Sequence, residues 1–136
     1  MKKFISALLL LCSMQASAGV VALTILAEAR GEGRDGMAAV ACVIAQRAQN
    51  RGMTPEQVCL QRKQFSCWNG KPDLTHLYKC DQAEFALYLE KNINHMNTAK
   101  IGFADHYYST IISAPYWAKN KKPVAIVGKH RFYKLR

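Results

Sequence analysis

The residues of this chain best suited to chemistry stand in one short stretch, Ala27-Glu28-Ala29-Arg30-Gly31-Glu32. It closes an apolar run (Val20, Val21, Leu23, Ile25, Leu26) and opens a turn at Asp35-Gly36. A carboxyl group drawn away from water has its charged form destabilised, which raises its pKa toward the range a general acid needs near neutral pH. Glu28 follows the apolar run directly and is read as the inward-facing acid; Glu32, between Gly31 and Gly33, is read as its more solvated neighbour. An ordinary helix end with solvated Glu and Arg has the same composition, so these six residues suggest acid–base chemistry without deciding it. Arg30 is expected to pair with Glu32 or Asp35 rather than with a ligand.

A second group is the loop Gln64-Phe65-Ser66-Cys67-Trp68-Asn69-Gly70. It mixes amide, hydroxyl and aromatic groups, the mixture that recognises sugars: apolar ring faces stack on aromatics while amides and hydroxyls pair with the hydroxyl rim. A loop with Phe65 and Trp68 tucked into the core would read the same way. Metal chemistry has no support, because His76, His95, His106 and His130 are scattered and no C-x-x-C pair is present. No metal and no cofactor are expected.

Several elements must position these groups. Asp35 is expected to cap a helix from about Gly36 to Gln49 whose run from Met37 to Ala45 is apolar nearly all round, placing it at the centre of the domain. Gln46, Arg47 and Gln49 mark where it emerges, and Asn50-Arg51-Gly52 is its stop signal. Thr54-Pro55-Glu56-Gln57 reads as a capping box with proline at the first helical position. Asp81 and Glu84 form another cap signature, ahead of an amphipathic helix to about Asn97 with Glu90 and Lys91 on its solvated face. From Lys100 the composition shifts to short strands, Ala104 to Tyr108 and Pro123 to Val127, with Gly128-Lys129 turning into His130-Arg131-Phe132-Tyr133.

Residues 1–18 read as a signal peptide: Lys2 and Lys3, an apolar stretch from Phe4 to Leu11 too short to span a bilayer, and an Ala16-Ser17-Ala18 cleavage site. A lipid-modified Cys12 and a retained anchor are the rival readings. Residues 19–136 would form one domain. Two of the chain's 19 basic residues lie in the leader, leaving 17 against 9 acids and a net charge of +8. That balance favours an anionic partner; the basic residues are spread along the chain, which argues against a nucleic-acid arm. Four cysteines remain, an even count that reads as a disulfide framework in an exported chain. Cys59 with Cys67 is the favoured pair, since both flank one short loop, with Cys42 and Cys80 as the complement. Cys42 equally suits a buried free thiol.

The pieces Ala27–Glu32, Gly36–Arg47, Gln64-Phe65-Ser66, Ala104–Tyr108, Pro115-Tyr116-Trp117 and Gly128–Tyr133 together resemble, in order, the SleB-like cell-wall hydrolases, the family of the spore-cortex lytic enzymes. The resemblance implies an α+β, mainly α, lysozyme-like domain with a small antiparallel sheet near the C-terminus, acting on peptidoglycan glycan strands. It also implies that Glu28 is the catalytic residue. This chain departs from the pattern in having no separate wall-binding repeats and in showing Gln46-Arg47 where Asn-Arg is expected.

If the family's activity carries over, a protonated Glu28 would donate to the oxygen leaving a β-1,4 bond, as lysozyme's general acid does. In a lytic transglycosylase the muramic 6-hydroxyl attacks its own anomeric carbon and the same glutamate accepts the proton, so no second carboxylate is needed. Glu32 and Asp35 are the candidates for a hydrolytic muramidase route. Gln64 and Ser66 would orient sugar hydroxyls or N-acetyl groups, Phe65 would offer a stacking face, and Tyr107 would either hydrogen-bond near the cleaved bond or position Glu28. His130 and Tyr133 would line the cleft from the hairpin. The expectation is thus a monomeric, exported enzyme of the periplasm or exterior, most simply a lytic transglycosylase, with no stable membrane insertion. A non-catalytic wall-binding module and a small basic protein acting on anionic surfaces by charge are the other classes.

Overall fold

The computed structural model describes residues 19–136, so the leader read at 1–18 lies outside the described residues. Four helices come first: α1 (Val20–Ala29), α2 (Gly33–Arg51), α3 (Pro55–Leu60) and α4 (Ala83–Lys91). Strands β1 (His106–Ser109), β2 (Ala125–Val127) and β3 (His130–Tyr133) then form one antiparallel sheet in the order β1-β3-β2. The α+β, mainly α architecture with a small sheet near the C-terminus is therefore the one expected. No helix among the described residues is long and apolar enough to cross a membrane.

Helix α2 is the axis of the domain because it is apolar on more than one face. Met37, Val40, Ala41 and Ile44 pack with α1 and α4 in the larger core cluster. Ala39, Cys42 and Val43 turn the other way and pack with Ile101, Ala104 and Phe132, which seats the sheet. The helix begins at Gly33, three residues ahead of the expected start; Glu32 occupies the N-cap position and Asp35 lies inside the first turn. Its end is as expected: Gly52 takes the left-handed conformation that only glycine adopts freely, and its amide closes on Ala48. The capping box of α3 is also present. The Gln57 amide donates to Thr54 Oγ1 at 3.1 Å, and the Thr54 amide donates to Gln57 Oε1 at 2.9 Å.

Two features of α4 depart from expectation. It ends at Lys91, with a separate 3-10 turn at Ile93–His95, and its N-cap is Gln82, without a side-chain cap bond from Asp81. Glu90 is not a solvated surface charge. Its carboxylate receives the Gly19 amide at 3.0 Å and the Ala22 amide at 2.9 Å, so it caps α1 from across the core. An anion at a helix N-terminus meets both the free amides and the positive end of the dipole. Gly19 itself sits at φ 90, and a side chain there would run into the Tyr78 hydroxyl. Glu90→Gln is expected to lower the unfolding free energy by about 1 kcal/mol, measured by urea unfolding. An unchanged midpoint would mean that the carboxylate charge adds nothing to α1.

The expected bridges are absent among the described residues: Cys42, Cys59, Cys67 and Cys80 are all thiols. Cys42 belongs to the cluster under the sheet, with its Sγ 3.7 Å from the Asn97 carbonyl oxygen, whereas Cys80 packs against the larger cluster. The alternative reading of Cys42, a buried thiol, is the one observed. Cys59 and Cys67 share the larger cluster; burial pushes their thiols up, to about 12 and about 11, so both stay protonated.

Candidate active site

Glu28 stands in the last turn of α1, where the helix leaves the core. Every residue from Val21 to Leu26 is buried, while Ala27 and Glu28 are half-exposed. The helix therefore has a fixed, dry base and an acid at its open end. Arg30 does not pair with Glu32 or Asp35. Its guanidinium folds back and donates to the Leu26 carbonyl at 3.1 Å, satisfying one of the free carbonyls at the end of α1.

The sheet supplies the partner. Tyr107 on β1 donates its hydroxyl to Glu28 Oε2 at 2.8 Å, across 79 positions of sequence. Burial and the neighbouring Glu28 carboxylate hold the Tyr107 hydroxyl well above its ordinary pKa, with the Arg47 charge opposing them, so Tyr107 remains a donor. His130 on β3 lies beside Tyr107, ring centres 5.1 Å apart, and is buried with its Nδ1 unpartnered. Glu32 reaches the same corner: a Cβ on Gly128, at the β2–β3 turn, would stand 3.1 Å from Glu32 Oε2. Both glutamates are half-exposed, so Glu32 is not the distinctly more solvated neighbour expected.

Burial lowers the pKa of His130 below its ordinary value, and the charges of Glu32 and Glu28 only partly offset this. The unfolded chain therefore takes up a proton near pH 6.5 that the folded protein refuses. The neutral ring's contribution to stability is fully present above about pH 6.5 and falls as the pH drops below it toward the folded pKa. Thermal midpoints across this window should decline more gently in His130→Gln than in the parent; equal slopes would refute the assignment.

Not every expected site residue meets Glu28. Ser66 is exposed, on the 3-10 turn Ser66–Trp68, and Trp68 Nε1 donates to Thr24 Oγ1 at 2.9 Å, one helical turn before Glu28. Cys67, between them, is close enough for the Glu28 charge to help raise its thiol pKa. Gln64 is instead engaged by Arg51, which donates to its Oε1 at 2.9 Å. Phe65 is only 3% exposed and lies under the Arg47 guanidinium, 5.3 Å from ring centre to cation, so it offers no free stacking face. Tyr133 falls on the other side of the sheet from His130. It packs with Tyr108 and Trp117, ring centres 6.0 and 5.4 Å away. Residues three apart on a strand face opposite ways, so His130 and Tyr133 cannot line one cleft wall.

Arg47 is another residue that sequence reasoning placed wrongly. Expected where α2 emerges, it is 6% exposed, donates through Nε to the Asp105 carbonyl at 2.7 Å, and lies close enough for its charge to act on Tyr107. Burial lowers its pKa, partly countered by Tyr107 and Asp105. Asp105 is buried as well. Burial would raise its pKa, but the Leu135 amide at 2.8 Å and the His106 ring at 3.0 Å outweigh that and hold it below the ordinary carboxylate value. Among the described residues no group of three His, Cys, Asp or Glu side chains is arranged to hold a metal ion.

A protein-family model described as Cell Wall Hydrolase matches residues 31–133 of this chain. The matched span holds Glu32, Tyr107 and His130 and begins three residues after Glu28. No curated protein and no solved structure gave a match.

Proposed function

The chain belongs to the cell wall hydrolase family, and from that premise we propose that it is a lytic transglycosylase. It would cut the β-1,4 bond between N-acetylmuramic acid and N-acetylglucosamine with Glu28 as its acid and base. The observation that carries this reading is the 2.8 Å hydrogen bond from Tyr107 to Glu28 Oε2. It fixes the carboxyl group at the open end of a buried helix and leaves Oε1 free to hold the working proton.

The proposed steps make use of that geometry. Protonated Glu28 gives its proton to the glycosidic oxygen as the bond from that oxygen to the muramic anomeric carbon breaks. The muramic 6-hydroxyl then attacks the anomeric carbon and surrenders its proton to the Glu28 carboxylate, giving a 1,6-anhydro end without consuming water. The acid is restored in its starting form. Attack from within the same sugar benefits from proximity that an incoming water lacks. Tyr107 holds Oε2 of the carboxyl group, and His130 packs beside Tyr107. Glu32 is the candidate second carboxylate for a hydrolytic muramidase, since it reaches the same corner through Gly128. The protein would be exported by residues 1–18 and act as a monomer on wall polymer in the periplasm or outside the cell, with Ser66 at the rim of the cleft.

The test is mass spectrometry of fragments released from purified peptidoglycan. Anhydro-muramic ends support the transglycosylase, reducing ends with water added make it a muramidase, and no fragments at all favour a wall-binding module. Within the proposed mechanism, Tyr107→Phe is expected to reduce kcat by about 10- to 100-fold with little change in KM, because it loosens the acid rather than the binding surface. A change confined to KM would assign Tyr107 to the substrate instead.

A further inference from the structure

We propose that the cavity formed by residues 60–72 is an anion-selective subsite that takes the carboxylate-bearing stem peptide of a peptidoglycan strand. This inference rests on the reading of the chain as a protein that acts on that polymer. The cavity has a volume of about 540 Å³. Its floor is apolar, made by Leu60, Trp68 and Pro72, and three cations, Arg62, Lys63 and Lys71, surround it. No Asp or Glu is among its lining residues.

Two of those residues have an unusual backbone conformation. Lys63 has φ 62 and Lys71 φ 52, both left-handed. A non-glycine residue in that region is strained, and such residues gather at ligand sites. Here the conformations stand at two turns that border one cavity, and both carry an ammonium group. The floor is also tied to the proposed site: Trp68, which forms part of it, donates to Thr24 on α1, one turn before Glu28.

The chemistry selects the ligand. Uncharged amino sugars would leave three cations unanswered, whereas the peptide on muramic acid brings free carboxylates together with short aliphatic side chains that suit Leu60 and Pro72. A nucleic acid would call for an extended track of cations along a phosphate backbone, not a bounded cavity with an apolar floor. Each exposed cation–carboxylate pair adds little by itself, and the three together set a preference of about tenfold.

The experiment is calorimetric titration of the Glu28→Gln protein, which holds the ligand intact, with a disaccharide-tetrapeptide and with the same disaccharide whose muramic lactyl group is a neutral amide in place of the stem. The peptide-bearing fragment is expected to bind about tenfold more tightly, with the gap narrowing as salt is raised from about 50 to about 300 mM. The combined variant Arg62→Gln, Lys63→Asn, Lys71→Asn should erase the gap; asparagine tolerates the left-handed conformation, so the backbone is kept while the charge is lost. Equal binding of both fragments by the parent overturns the proposal without any subsite variant, as does a gap that survives in the triple variant. The enzyme reading fails separately. Selective binding of the stem by a protein that releases no fragments from peptidoglycan would leave the subsite standing and remove the transglycosylase.

Discussion

Glu28→Gln is expected to leave the protein folded and to lower strand cleavage by about 10³-fold, the range that positioned acid–base catalysis supplies. The side chain keeps its size and its Oε1 can still accept the Tyr107 hydroxyl, so the α1–β1 contact survives. What disappears is a group that can give up a proton and take one back. In the transglycosylase both steps use that one group, so no other residue compensates. Circular dichroism and thermal unfolding should match the parent while anhydro-muramic products vanish from the mass spectrum. Glu32→Gln is the necessary comparison. Hydrolysis would require it as the second carboxylate and predicts a loss of similar size, whereas the transglycosylase predicts a modest one. Cleavage that persists in Glu28→Gln would remove Glu28 from the chemistry.

Some local signals in the sequence proved accurate, although the caps read at Asp35 and Asp81 did not. The capping box at Thr54, the stop at Gly52 and the Gly128-Lys129 turn all depend on neighbours within a few positions, and all three are present. The doubly apolar α2 likewise announces its central place through composition alone. What the sequence obscured were contacts between distant segments. Nothing near Glu90 marks it as the cap of α1, because the amides it receives lie 71 and 68 positions away. Phe65 has the same neighbours whether it faces a sugar or the core, and only the approach of Arg47 decides. The opposite facing of His130 and Tyr133 was legible from strand alternation; grouping them by hairpin rather than by parity hid it. Positioning Glu28 was one of two roles open to Tyr107 from sequence, and the bond between them depends on the sheet being seated on α2.

Arg47 turns that lesson into the second large effect. Its aliphatic stem is buried and its Nε donates to a buried carbonyl, that of Asp105 at the entry to β1. Arg47→Ala would open a cavity beside Phe65 and leave that carbonyl without its donor. The two losses together are expected to lower the unfolding free energy by about 3 kcal/mol. Arg47→Met fills most of the volume and forfeits only the hydrogen bond and the charge, so it should lose about 1 kcal/mol, in keeping with the tolerance of buried ion sites for apolar replacements. The activities should not follow the stabilities. Arg47 is the cation that offsets the upward push on Tyr107, and it braces the start of the strand that carries Tyr107 to Glu28. Both variants are therefore expected to lose about tenfold in kcat, although Met nearly restores the fold. Equal stability of the Ala and Met proteins would mean that the space around the stem closes freely, and a Met variant with parental kcat would show that Arg47 supports the core without positioning the acid.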